Sequence, residues 1–261
     1  MAYPLNKSTF GQGTPLVLLH GWGLNSGVWL SLIEHLTSHV QVITVDLPGF
    51  GKNSDVLPDQ YDLSSISEMV VETVGQPAIY LGWSLGGLVA SQIALQFPDS
   101  CKGLVTVASS PAFKSADDWP GIKPDYLTAF YRQLGKDIGK TLDNFLKIQA
   151  MGSPHIRKEI KLLHQLVMEY PLPAEQALHA GLGLLETVDL KHQLSDVKCP
   201  FYRMYGKLDS LVPKATKLLV DELAPNSGSI MFEQASHAPF ISHQQEFLAE
   251  LLTWLKQEYR L

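Results

Sequence analysis

The chain has 261 residues, 45% of them hydrophobic and 18% charged, which is enough apolar material for one sizeable core and suggests one domain with an insertion. A formal net charge of −6 excludes a surface built throughout to hold phosphate backbones, so nucleic acid is not an expected partner. The two cysteines, Cys101 and Cys199, stand far apart and outside any CxxC spacing; they suggest neither a disulfide framework nor a thiolate metal site and read as buried core thiols.

In chain order, the first apolar run, Leu16 to Leu19, is too short for a signal-peptide core and has no basic segment or small-residue cleavage site before it. No run of 18 apolar residues follows anywhere, so a soluble, cytoplasmic protein off the membrane is expected. Leu16–Leu19, Val40–Val45, Ala78–Leu81 and Gly103–Val107 read as strands buried on both faces. Between them Ser31–Leu36, Leu63–Val74 and Leu85–Phe97 carry helical apolar spacing, giving a βαβ rhythm and a mostly parallel sheet. From Ser109 to Asp125 the chain is rich in Ser, Pro, Asp and Gly. After it, Leu127, Phe130, Leu134, Ile138, Leu142, Phe145 and Leu146 recur at steps of mainly three and four, predicting one or two amphipathic helices over 126–149 and another over 156–168. Phe201–Tyr205 and Ser229–Phe232 restore the strand pattern, and Phe247–Tyr259 reads as a closing helix. The expected organisation is an α/β core, a mostly parallel sheet flanked by helices, at 1–112 and 187–261, with an inserted helical lid at 113–186.

Gly82-Trp83-Ser84-Leu85-Gly86 lies between a strand and a helix, the context of a nucleophile elbow. The turn is so sharp that residues flanking the serine must lack side chains, while its hydroxyl projects above the sheet at a helix N-terminus. His20-Gly21-Trp22-Gly23 follows the first strand, where this fold supplies an oxyanion donor. The two donors are assigned to the backbone N–H groups of Trp22 and Leu85, although Trp22 also reads as ordinary core packing. Asp46 to Gly51 is read as a structural loop. A serine hydroxyl needs a base, itself held by an acid, and the fold delivers them in the order Ser, acid, His on loops after late strands. His237, after the last strand, fits the base; its rival His243 begins the final helix and reads as a capping or surface residue. Asp209, just past Tyr205, fits the acid, whereas Asp196 and Asp221 read as solvated or capping. No His or Cys spacing suggests a metal site, and the chemistry requires no cofactor.

Several longer stretches carry a narrower signal: His20 to Asn25, Val45 to Gly51, Leu81 to Leu95, Thr106 to Pro111, Trp119 to Asp125 and His237 to His243. On these the chain resembles, along its whole length, the biotin-pathway carboxylesterases that hydrolyse pimeloyl-[acyl-carrier protein] methyl ester. The resemblance implies a serine esterase forming an acyl-enzyme on Ser84, with Phe145, Leu146, Lys147, Ile148 and Gln149 lining the acyl channel beside Trp22, Leu85, Ser84 and His237. It also implies that basic lid residues, for which Lys140, Arg157 and Lys161 are the candidates, dock an acidic acyl-carrier protein. Residues 132–161 indeed hold seven basic side chains against three acidic ones, a local excess suited to an anionic partner. On charge alone the same run equally reads as a solvated surface with no partner. Asn144 stands where the family pattern has arginine, a departure that bears on docking strength. Within the same scaffold a broad short-chain carboxylesterase stays open, as does, more remotely, a non-catalytic receptor. A monomer that also accepts small esters is expected.

Overall fold

The computed structural model describes residues 4–151, 153, 156–167 and 169–259. Seven strands form one sheet: β1 (Lys7–Phe10), β2 (Pro15–Leu19), β3 (Gln41–Val45), β4 (Ala78–Trp83), β5 (Cys101–Val107), β6 (Phe201–Gly206) and β7 (Gly228–Phe232). Their spatial order is β1-β3-β2-β4-β5-β6-β7, and every neighbouring pair is parallel except β1 with β3. The helices are α1 (Leu30–Leu36), α2 (Leu63–Val74), α3 (Leu85–Gln96), α4 (Pro124–Leu134), α5 (Ile138–Gln149), α6 (Ile156–Val167), α7 (Glu175–Thr187), α8 (Ala215–Leu223), α9 (Pro239–Ser242) and α10 (Gln244–Tyr259).

Alternation along the strands explains why the apolar runs are continuous. In β2, Leu16 and Leu18 point into the core shared with α1 and α10, while Val17 and Leu19 point into the one shared with α2 and α3. Ile79 and Leu81 of β4 take the first side and Tyr80 the second. Parallel strands covered on both faces therefore need no polar alternation. The expected strands and helices appear, and others join or shift; α7 and α9 were not among the individual helices expected. β1 was not foreseen: Lys-Ser-Thr-Phe is a largely exposed edge strand with no apolar run to announce it. The closing helix starts at Gln244, before its first apolar residue, and α8 adds a helix that the sequence reading had touched only through Asp221.

Between β5 and β6 the chain runs through α4 to α7. The amphipathic stretch 126–149 divides because Asp137 caps α5, its side chain accepting from the Lys140 N–H at 2.9 Å. The end expected for the next helix, Met168, lies outside the described residues. Among the described residues no helix is long and apolar enough to cross a membrane. The strands' carboxyl ends, where α/β folds gather their sites, face this helical insertion.

Candidate active site

Ser84 is the single residue between β4 and α3, with φ 55° and ψ −119°. That left-handed backbone stores on the order of 1–3 kcal/mol and persists only where the surroundings impose it. They do so: the Ser84 N–H donates to Val107 O at 3.0 Å, and its carbonyl accepts from the Gly87 N–H at 2.9 Å and from Ser109 Oγ at 2.8 Å. A side chain on Gly82 would put its Cβ 2.0 Å from Gly86 O, and one on Gly86 would meet Leu19 O at 2.4 Å. The two glycines thus let the elbow close on itself and against the end of β2. Ser109, read in the sequence only as the start of a polar loop, helps to hold it.

Asp209 and His237 meet next to Trp83, whose ring lies 5.7 Å from that of His237. Asp209 follows β6, and its Oδ1 accepts from the Leu211 and Val212 N–H groups at 2.8 and 3.0 Å. Its Oδ2 lies 2.7 Å from His237 Nδ1. An ionised carboxylate only accepts, so Nδ1 carries the proton and Nε2 keeps its lone pair. Nε2 is buried and has no hydrogen-bond partner among the described residues. The His237 backbone is held from two sides: Trp83 Nε1 donates to its carbonyl at 2.7 Å, and its N–H donates to Gln149 O in α5 at 3.2 Å. Ser236 adds hydrogen bonds to Gln149 O and Met151 O at 2.9 and 2.7 Å, one hydroxyl proton serving two carbonyls. Sequence reasoning missed these clamps, since a tryptophan beside the serine gives no sign that its indole reaches 154 residues onward. His243 lies at the α9–α10 junction with Nδ1 2.8 Å from Ser242 Oγ, away from the pair.

The loop after β2 flanks the serine: a Cβ on Gly21 would stand 3.3 Å from Ser84 Cβ. His20 fixes this loop. Its Nε2 accepts from the Leu47 N–H at 2.9 Å and Nδ1 donates to Gly21 O at 2.8 Å, while burial lowers its pKa below the ordinary histidine value and keeps it neutral. Asp46 accepts from the Ser26 and Lys52 N–H groups at 2.6 and 2.9 Å, tying its own loop in place. Trp22 is fully buried, its indole N–H donating to Leu178 O of α7 at 2.9 Å and its ring 4.8 Å from Phe145. Leu85 opens α3, so its amide has no intrahelical acceptor.

Of the other residues expected at the acyl channel, Phe145, Leu146 and Gln149 are buried and Ile148 partly so. Lys147 is not brought to them: it is exposed, with Nζ 3.5 Å from Asn144 Oδ1. An apolar cavity of about 160 Å³ lies beside Trp22, between Gly23, Leu24, Leu142, Leu146, Tyr170 and Leu172. Ser84 is 2% exposed and His237 0%, and α5 closes over His237 through the bond from the His237 N–H to Gln149 O. Lys140, Arg157 and Lys161 are exposed, and no ion pair among the described residues engages them. Arg157 and Lys161 border one hollow on α6 with Ile160 and His164; Lys140 stands on α5. Two further readings change. Asp221 is not a mere cap: it pairs at 2.6 Å with the buried Arg203. Cys101 and Cys199, far apart in sequence, have their sulfurs at 3.7 Å, and Cys199 is only partly buried and not a core thiol.

This geometry suits acyl transfer: a hydroxyl on a strained turn, a buried carboxylate–imidazole pair and an amide without an intrahelical acceptor at the start of a helix. The comparisons with known proteins agree. A family model described as alpha/beta hydrolase fold matches residues 14–244. The esterase of Exiguobacterium antarcticum superposes with a TM-score of 0.85 at 23% identity, over 97% of this chain and 95% of its own, which speaks for the fold alone. The enol-lactonase of Burkholderia xenovorans LB400 does so at 0.83 with 15% identity, over 96% of both chains. The pimeloyl-[acyl-carrier protein] methyl ester esterase of Aeromonas salmonicida is 50% identical over 239 residues, 92% of this chain and 94% of the relative. Its namesake in Aliivibrio fischeri is 46% identical over 260 residues, 98% and 99% of the two chains. With a fold model spanning most of its length and relatives near half identity from end to end, the chain belongs to the α/β-hydrolase family, among the pimeloyl-[acyl-carrier protein] methyl ester esterases.

Proposed function

We propose that this protein is a serine carboxylesterase that hydrolyses the methyl ester of a pimeloyl chain carried on acyl-carrier protein, releasing methanol. The observation that carries the reading is the buried Asp209–His237 pair at 2.7 Å together with a serine on a strained strand-to-helix turn, in a chain about half identical to esterases of that name. Ser84 Oγ attacks the ester carbonyl as His237 Nε2 takes its proton, and Asp209 stabilises the imidazolium. The N–H groups of Leu85 and Trp22 hold the oxyanion. His237 then protonates the departing methoxide, leaving the pimeloyl group esterified to Ser84. Water, deprotonated by the same Nε2, attacks this ester, and the proton returns to Ser84 as the free carboxylate leaves. No step calls for a cofactor.

The insertion, residues 113–186, acts as a lid in this reading. Phe145, Leu146 and Gln149 wall the acyl chain against Trp22, and the unpaired Lys140, Arg157 and Lys161 orient the acidic carrier protein.

The test is product mass spectrometry on carrier-bound pimeloyl methyl ester, with a short aryl ester in parallel. Loss of methanol with the carrier thioester intact is expected, and reversing Lys140, Arg157 and Lys161 to Glu should lower kcat/KM for the carrier-bound ester roughly tenfold or more while sparing the aryl ester. Equal losses on both substrates would remove the docking role. Turnover of the aryl ester alone would leave a general carboxylesterase.

A further inference from the structure

Cys101 opens β5, and Cys199 lies on the short link that leads into β6. They are 98 residues apart in sequence, yet β5 and β6 are neighbours, paired from Leu104 with Phe201 onward, and this brings the sulfurs to 3.7 Å. They are the only two cysteines of the chain. A disulfide bond needs the sulfurs at about 2.05 Å, so the remaining approach falls to side-chain rotation and a small shift of the link. Cys101 is 4% exposed and sealed in the core, whereas Cys199 is half-buried and borders a surface hollow with Val197, Phe201, Pro225 and Asn226. One sulfur can therefore meet a small solute while the other waits behind it.

We propose that Cys101 and Cys199 are an oxidisable dithiol site, closed to an intramolecular disulfide by a peroxide. The Cys199 thiolate attacks one peroxide oxygen, the O–O bond breaks, and one water leaves once the departing oxygen is protonated. Cys199 is then a sulfenic acid. The Cys101 sulfur attacks that sulfur, loses its proton and expels a second water as the S–S bond forms. Overall two thiols are oxidised by two electrons and one peroxide is reduced to two waters. The order of attack has a physical basis beyond access: the hydrogen bond between the two sulfurs favours the Cys199 thiolate and lowers its pKa, while the same bond and burial push Cys101 up.

The site sits far from the chemistry assigned to Ser84. Cys101 pairs with Ala78, the first residue of β4, and Ser84 follows Trp83, the last; at about 3.3 Å per residue the two ends are roughly 20 Å apart. Closing the bond links two points that flank the whole helical insertion, which restricts the unfolded chain without touching Ser84 or His237.

The experiment uses the full chain, reduced and then exposed to hydrogen peroxide. The expected result is a monomer lighter by two hydrogens, about 2 Da, with thiol titre falling from two to zero, full reversal by dithiothreitol, and a peptide map joining Cys101 to Cys199. The oxidised form should unfold at a temperature higher by roughly 5 °C, with ester hydrolysis changed less than about twofold. Retention of both thiols, oxygen added to Cys199 while Cys101 stays free, or cross-linked dimers instead of the internal bond would each overturn the proposal. The reading on the wild-type chain needs no variant; Cys199→Ser serves as a control and should lose the 2 Da shift.

Discussion

The elbow and the helical insertion meet at His237, and they are held in opposite ways. On the sheet side fixed partners hold the Ser84 amide and carbonyl, the Asp209 carboxylate, the His237 imidazole Nδ1 and the His237 carbonyl, while His237 Nε2 has none among the described residues. On the insertion side the polar links are few, chiefly Trp22 Nε1 to Leu178 O and the Gln149 and Met151 carbonyls to residues 236 and 237. Gln149 is fully buried, with neither its side-chain oxygen nor its nitrogen hydrogen-bonded. An unsatisfied buried group costs about 1–3 kcal/mol, a penalty borne by the Gln149 amide in the insertion and by His237 Nε2 beside the elbow. The difference is one of attachment: the sheet end is held by fixed hydrogen bonds, the insertion chiefly by its buried apolar faces.

The largest effects should come from the rigid side. Ser84→Ala should lower kcat by about 10⁶-fold and Asp209→Asn by about 10⁴-fold, with thermal unfolding nearly unchanged for the serine variant. Steady-state kinetics with a small methyl ester, alongside calorimetry, reads both; a serine variant within tenfold of wild type would break the assignment of the elbow.

Next comes the frame beneath it. Arg203 of β6 is 1% exposed and pairs with Asp221 of α8, which also accepts from Lys217 at 2.8 Å and Ser229 at 3.1 Å. Burial alone would raise the Asp221 pKa, but the hydrogen bonds from Lys217 and Arg203 outweigh it and hold the carboxyl below its ordinary value. A carboxyl whose folded value is depressed adds stability above its unfolded value, near pH 4, and that share is lost as pH falls through the folded value. Asp221→Ala should destabilise the protein by about 3 kcal/mol at pH 7, since it strands a buried guanidinium, with kcat intact. In urea titrations the gap from wild type should narrow as pH drops below about 4. A gap independent of pH would show that the charge of Asp221 is not what matters.

The smallest effect sharpens the insertion side. Gln149→Leu keeps the volume and removes both unsatisfied atoms, so it should stabilise the protein by about 1 kcal/mol while lowering kcat/KM for long acyl chains several-fold, the closed form being favoured. Destabilisation by the same change would mean that the amide has a partner in solution and the contrast drawn above is wrong.

These two regions were also unequally legible in the sequence. The turn at Ser84, most of the strands and the pairing of Asp209 with His237 could be read because the fold forces short-range signatures: apolar runs, flanking glycines and an acid just past a strand. What could not be read were partners joined only by the crossing of distant elements. Trp83 gives no local sign of donating to His237 O, nor Ser109 of donating to Ser84 O. The 98-residue gap hid the contact of Cys101 with Cys199, and the helical position of Asp221 hid its hold on Arg203. β1 escaped because an edge strand half open to water needs no apolar pattern. In the insertion, helical spacing told which faces are buried, but a stretch of adjacent positions such as 145–149 cannot all face inward, and Lys147 does not.

The most direct test of the account is covalent capture of the nucleophile. The protein is treated with an organophosphorus ester and its peptides are mapped by mass spectrometry. The account predicts one adduct per chain, on Ser84, with parallel loss of ester hydrolysis and much slower labelling in Asp209→Asn. An adduct on another side chain, or hydrolysis that survives full labelling of Ser84, would contradict it.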